Sequence, residues 1–353
     1  MDTNRRHDID WLRVIAIGLL LIYHIAIIFQ PWAMFIGFIR SDEMLEILWK
    51  PMTLINVWRI PFLFYVSGMG VYFAMRKRTV GQLLADRALR ILVPYLFGIV
   101  AIVPLHFLIF QNYYHQPLSY FAHPAHLWFL GNIVIYISLL FAIFNYLMKH
   151  PENKFRAFLQ KVMSKVWGPM LVIPFFIAEV LLIKPDIFSL YAQTMHGYGI
   201  GFLAFFFGFI LVYTGAPLWN TLLKWRWVYA LLAFAFAGFR LMYFQGSSPN
   251  YLMAIESNVW IFALFGFGYK YLNRPSKLLS YLSAGAYPIY IIHMFVLYGA
   301  ASFILPLSMP VMLKFILTVL VTLITCIVLF EAIKRIRILR PLFGMSFTVK
   351  PKL

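Results

Sequence analysis

Ten stretches of this chain are apolar over about the twenty residues that a bilayer-crossing helix needs. They lie near 10–29, 52–75, 91–111, 127–148, 167–183, 198–214, 227–245, 251–270, 285–304 and 312–332. Inside hydrocarbon there is no water to satisfy backbone N–H and C=O groups, so an uninterrupted apolar run of this length has to be helical. Composition agrees: 63% of the residues are hydrophobic and 12% charged, where a soluble domain has roughly 45–50% and ~25%. The fold class implied is all-α, a polytopic integral membrane protein of about ten transmembrane helices. No repeat, low-complexity linker or long soluble loop interrupts it, so 1–353 is read as a single membrane domain. The first run is longer than a signal-peptide core and lacks a small-residue cleavage site, and is expected to stay as the first span.

The net charge of +18 would suit a nucleic-acid partner in a soluble chain. Here it follows the positive-inside pattern instead. With both termini on one face, that face carries 23 of the 30 Lys and Arg residues, Lys350 and Lys352 included; only Arg40, Lys50, Lys184 and Lys314 lie on the other. Both termini are therefore expected in the cytoplasm, in a multi-pass cell membrane protein whose partner is a lipid bilayer and not nucleic acid. The stretch 76–90, RKRTVGQLLADRALR, reads as a short amphipathic helix on the cytoplasmic interface. The single cysteine, Cys326, excludes an intramolecular disulfide and reads as a small core residue.

Ionisable groups inside such spans are costly and mark candidate sites. Arg13 and His24 are eleven residues apart in DWLRVIAIGLLLIYH. On a helix this is about 1100° of rotation, so the two side chains point within ~20° of each other, ~16.5 Å apart along the axis. Neutral imidazole accepts a proton from a hydroxyl, which makes His24 a candidate general base. Arg13 and the preceding Asp10 share its segment. Arg59 lies in the second run, NVWRIPFLFYVSGMG, where it could bind substrate or pair with a carboxylate such as Glu256. In the same run Pro61 can kink the helix, and Ser67, Gly68 and Gly70 permit close helix approach. Arg87 and Arg90, three residues apart, share a helical face. With Arg76, Lys77 and Arg78 they would form a cationic patch suited to a ligand bearing several phosphates. His123, His126 and Trp128 stand at the outer end of the fourth run and could line an outward opening. No carboxylate stands at ligand spacing to the histidines, so no metal site is expected. Glu179, Arg240, Glu256 and His293 are further polar residues in or near spans, and Tyr287, Tyr290 and His293 would share one side of the ninth. The chain has no P-loop, G-x-S-x-G or H-E-x-x-H motif, which argues against P-loop, serine-hydrolase and zinc-protease chemistry.

These segments, in this order, resemble the membrane acyltransferase family 3. IDWLRVIAIGLLLIYH resembles its opening helix, RIPFLFYVSGMG its second, and RALR (Arg87 to Arg90) its R-x-x-R loop. HLWFL, YPIYIIHMF and the C-terminal RPLFG resemble later segments. Trp11 departs from the glycine of many relatives. The resemblance implies a ten-helix enzyme of the bacterial inner membrane. Such an enzyme moves an acyl group, acetyl or succinyl, from acetyl-CoA or succinyl-CoA to a hydroxyl of an extracytoplasmic carbohydrate. The DWLR opening and HLWFL are closest to the branch that modifies glucans. On this reading His24, Arg13 and Asp10 are catalytic, and Arg87, Arg90, Arg76 and Arg78 bind the CoA phosphates. Arg59, His126, Trp128, Glu256 and His293 face substrate. The competing reading is a transporter or flippase of a glycan or lipid precursor, which would also need buried charge. It would be expected to show two related halves, and none is visible.

Overall fold

The computed structural model describes residues 5–246 and 248–346. Lys350 and Lys352, counted above on the cytoplasmic face, lie outside the described residues. The helices are α1 (His7–Ile28), α2 (Trp49–Met75), α3 (Val80–Arg87), α4 (Val93–Phe97), α5 (Val103–Tyr113), α6 (Trp128–Lys149) and α7 (Lys154–Met163). They continue with α8 (Ile173–Ile183), α9 (Met195–Thr214), α10 (Ala216–Tyr243), α11 (Asn250–Tyr271), α12 (Lys277–Ile304) and α13 (Val311–Arg335). Among the described residues there is no strand, and nine helical segments are long and apolar enough to cross a membrane. The protein is an all-α polytopic membrane protein.

Two expectations change. The fifth run is shorter than a span: it opens with a 3-10 turn at Gly168–Val172 and leaves only eleven residues for α8. At 1.5 Å per residue that is ~16 Å of α-helix, well under the ~30 Å hydrocarbon core. The interfacial helix expected over 76–90 is not separate either. Only α3 matches it, and π-helical turns at Ala88–Leu92 and Gly98–Ile102 carry the chain onward, so that Val80–Tyr113 forms one helical segment. No proline occurs between Val80 and Leu92 to stop it.

The chain divides into two compact units. The first comprises Met1–Ala16, Thr53–Leu83 and Asn132–Leu279. Here α2 and α9 approach closely: a Cβ at Gly68 would collide with the Phe205 carbonyl, and one at Gly208 with the Tyr65 carbonyl. Gly70, expected to serve the same purpose, faces open space. The basic stretch after α6 forms α7, capped by Asn153, whose side chain accepts the Arg156 N–H at 2.7 Å. Arg156 Nε donates to the Tyr213 carbonyl at 3.0 Å, placing a cation on the C-terminal carbonyls of α9.

The second unit comprises Ile17–Met52, Leu84–Gly131 and Ser280–Leu353. Beyond α1 the chain folds back over that helix's end, with Ser41 N–H donating to the Ile28 carbonyl at 2.9 Å and Leu45 N–H to the Phe29 carbonyl at 3.1 Å. Phe29, Ala33, Phe38 and Leu45 pack there against Met294, Leu297 and Tyr298 of α12. Tyr298 donates its hydroxyl to the Gly37 carbonyl. This apolar cluster holds the last turns of α1 against the middle of α12, which is what brings the histidines of those helices together.

Candidate functional site

Four histidines from four segments of the second unit meet beside that cluster: His24 of α1, His106 of α5, His126 from the turn before α6, and His293 of α12. His24 Nδ1 and His293 Nε2 are 2.9 Å apart and hydrogen-bonded. Their ring planes are 5° apart with centroids separated by 5.1 Å. That separation equals the N···N distance plus one ring radius on each side, the largest the bond allows. The rings therefore lie edge to edge in one plane, and the nitrogen lone pair points along the N–H. On its other side, His293 Nδ1 donates to the Tyr290 carbonyl at 2.7 Å, because a carbonyl oxygen can only accept. His293 is 1% exposed and has both ring nitrogens engaged.

His126 stands across His293, with ring centroids 5.0 Å apart and planes nearly perpendicular. Its Nε2 donates to the Ile291 carbonyl at 3.0 Å, while the Tyr290 hydroxyl donates to the His126 carbonyl. These two bonds clamp the turn before α6 to residues 290 and 291, next to the His24–His293 pair. The turn is shaped locally: Ala125 has a positive φ of 39°, and His123 Nδ1 accepts the Ala125 N–H at 3.0 Å. Trp128 is buried on the first turn of α6. His106 closes the group, its ring 5.8 Å from that of His126 and 5.0 Å from that of Tyr298. Sequence reasoning missed His106. Its only signal was a lone imidazole in an otherwise apolar run. No group of His, Cys, Asp or Glu able to hold a metal ion occurs among the described residues.

The remaining candidates are placed elsewhere. Arg13 and Asp10 belong to the first unit, where Arg13 Nη2 donates to Asp10 Oδ1 at 2.9 Å and Arg5 Nη2 to Asp10 Oδ2 at 2.9 Å. Arg13 is 42% exposed in its side chain. Arg59 is buried in α2, with Nη2 donating to Asn56 Oδ1 at 3.0 Å. Glu256 is not its partner: both carboxylate oxygens of Glu256 bind Arg240, at 2.7 and 2.8 Å. Glu179 takes His196 Nδ1 at 3.0 Å, and His196 Nε2 donates to the Phe188 carbonyl at 2.9 Å. Arg76 and Arg78 fall in the first unit, where Arg76 lines a cavity of about 290 Å³ with Tyr72, Arg156 and Tyr213. Arg87 and Arg90 fall in the second, as the histidines do. Asp86 holds the Arg90 Nε at 2.7 Å, an acidic neighbour that reduces the net positive charge of the R-x-x-R turn.

A family model described as an acyltransferase domain matches residues 6–331. The chain belongs to the membrane acyltransferase family 3. It is an acyltransferase with multiple membrane helices, which decides between the transferase and the transporter readings. No curated protein and no solved structure matches the chain. The matched region contains all four histidines and the R-x-x-R turn, so the hydrogen-bonded imidazoles belong to the acyltransferase domain itself.

Proposed function

We propose that this acyltransferase transfers an acetyl or succinyl group from cytoplasmic acyl-CoA to a hydroxyl of an extracytoplasmic glycan, with His24 as general base. The observation that carries the reading is the in-plane His24–His293 bond at 2.9 Å, which orients an imidazole within a membrane-embedded acyltransferase domain. His24 takes the proton of the acceptor hydroxyl as its oxygen attacks the thioester carbonyl. The tetrahedral intermediate collapses, the C–S bond breaks, and the departing thiolate recovers the proton from His24. The products are an O-acyl ester and CoA–SH, with no net proton change. Arg87 and Arg90, in the same unit as His24, hold the CoA phosphates by charge-assisted hydrogen bonds. The resemblance to the glucan-modifying branch makes a periplasmic glucan of a bacterial inner-membrane system the first acceptor to try.

The test is CoA release by the purified protein in detergent with acetyl-CoA or succinyl-CoA, with and without an oligosaccharide acceptor. Acyl ester on the acceptor, found by mass spectrometry and absent with His24→Ala, is the expected result. Surface glycans with the same acyl content in cells with and without the gene would exclude the glycan acceptor.

A further inference from the structure

The cavity lined by Arg76 lies wholly within the first unit. Tyr72, Met148 and Tyr213 of its walls stand in the last turns of α2, α6 and α9. All three helices belong to segments long and apolar enough to cross a membrane, so the cavity sits where hydrocarbon gives way to lipid headgroups. Its walls combine two guanidinium groups, from Arg76 and Arg156, with apolar surface from Leu147, Met148 and Pro151. No carboxylate lines it, and Glu152 of the same loop is exposed outside it. Arg156 is fixed: its Nε donates to the Tyr213 carbonyl at 3.0 Å and its Nη1 to the Pro151 carbonyl at 2.9 Å. Its Nη2 makes no hydrogen bond among the described residues. The exposed Arg76 side chain makes none there either. The Tyr72 hydroxyl is likewise without a bond among the described residues, although its ring packs edge-on against Phe209 with centroids 5.5 Å apart. Three sets of donors thus line one concavity that supplies no anion of its own. A cleft lined by one sign of charge focuses its field and concentrates counter-ions.

We propose that this cavity is a binding site for the headgroup phosphate of an anionic phospholipid, held by Arg76, Arg156 Nη2 and the Tyr72 hydroxyl. Guanidinium donors match phosphate oxygens in geometry and charge. The level of the site favours a lipid over a free phosphate, because basic pockets between membrane helices are where anionic headgroups lodge. The lining favours it too: Leu147, Met148 and Pro151 offer nothing to a bare anion but suit the glycerol and first methylenes of a lipid. Along α6, Leu139, Ile143 and Tyr146 form an exposed apolar stripe that ends beside Leu147, a surface on which an acyl chain can lie. The loops at this end also carry Lys77, Arg78, Lys149 and Lys154, the basic side of the chain. The proposal does not depend on the acyl-transfer reading, and it gives Arg76 a ligand other than the CoA phosphates. A bound phosphate would tie the end of α2 to α7 and, through Arg156, to the last carbonyls of α9, so the lipid should stabilise the folded first unit.

The experiment uses the full chain purified in a non-ionic detergent, with thermal unfolding followed as dioleoyl-phosphatidylglycerol or dioleoyl-phosphatidylcholine is titrated into the micelles. Phosphatidylglycerol is expected to raise Tm with saturation, and phosphatidylcholine to do so far less; equal rises overturn the proposal. Arg76→Gln should shift the half-saturating phosphatidylglycerol fraction upward by about 10–10²-fold, and Tyr72→Phe by about 2–10-fold. Neither lost group is bonded within the protein, so both variants should keep the wild-type Tm in detergent alone. Lys161→Gln removes an exposed charge from α7 outside the cavity and should leave the titration unchanged. A shift as large as that of Arg76→Gln would reduce the effect to diffuse surface charge and overturn the site. Inorganic phosphate and CoA, each added without lipid, separate the sources of phosphate. No rise in Tm from either supports the lipid; a rise from one of them that Arg76→Gln abolishes makes the occupant a free phosphate group and overturns it. Native mass spectrometry of the wild type is independent of variant folding: phosphatidylglycerol retained in preference to phosphatidylcholine supports the site, and equal retention overturns it.

Discussion

Arg240–Glu256 in the first unit and His24–His293 in the second are both polar pairs within membrane helices, and they differ in how many bonds join them. The guanidinium and carboxylate are each 1% exposed. They make two parallel bonds at 2.7 and 2.8 Å, and Arg240 Nη1 adds a third to the Gly246 carbonyl at 2.9 Å. Both charges are met by an opposite charge or a dipole, and both carboxylate oxygens are committed. The histidine pair is joined by one bond, between His24 Nδ1 and His293 Nε2 at 2.9 Å, and His293 Nδ1 is committed to the Tyr290 carbonyl. Depth and burial alone would class both pairs as candidate sites. Counting bonds separates them: the first pair is a strut joining α10 to α11 through two parallel bonds, and the second, which includes the proposed base, is held by one.

That contrast can be broken most sharply at His24. His24→Ala is expected to cost about 10²–10⁴-fold in transfer rate while leaving expression and acyl-CoA binding near native. His24→Gln keeps polarity and rough volume but cannot act as a base. Near-native turnover by the Gln variant would make His24 a strut as well, and the distinction between the pairs would collapse.

Arg240→Met tests the other side. Leaving Glu256 buried without its partner should lower stability by about 3–5 kcal/mol, read from thermal unfolding in detergent. Replacing both partners, Arg240→Met with Glu256→Leu, should restore most of it, since a buried ion pair is often matched by packed apolar side chains. The double variant should keep native kcat per folded molecule. A double variant that folds but cannot transfer would return Glu256 to the substrate site.

Smaller effects follow at the anion site and in the packing. Arg87→Ala with Arg90→Ala should raise KM for acyl-CoA, the loss of a charge-assisted bond being worth about 1.5–3 kcal/mol, and leave the stability of both pairs unchanged. Unaltered KM in a folded double variant would reduce these arginines to basic loop residues. Gly68→Ala should destabilise by about 1–3 kcal/mol, because overpacked contacts force backbone shifts and its Cβ would meet the Phe205 carbonyl. Gly70→Ala, facing open space, should be close to neutral in the same unfolding measurement.

Much of the second unit's chemistry was visible as residue types but not as partnerships. His24, His126 and His293 each stood out as ionisable groups in apolar runs, and Tyr290 was placed beside His293 by helical spacing. The bond between His24 and His293 spans 269 residues of sequence, and nothing in either segment names the other. Arg13 illustrates the converse. Its alignment with His24 follows from helix geometry alone, whereas its bond to Asp10 and the second bond from Arg5 depend on rotamers that spacing does not set. Glu256 was read as a substrate contact or as the partner of Arg59, and only helix packing gives it to Arg240.

Membrane helices, their approximate limits and the all-α class follow from the sequence by itself, because in hydrocarbon each segment must satisfy its own backbone and length and polarity are local properties. The tertiary structure alone decided that Gly168–Ile183 falls short of a span, that Val80–Tyr113 runs on through π-helical turns, and which buried polar atoms meet. Hydrogen bonds are directional and short-ranged, reaching only about 3 Å between heavy atoms. Which histidine partners His24 is therefore set by the placement of α1 against α12, a relation between distant segments that no single run of residues encodes.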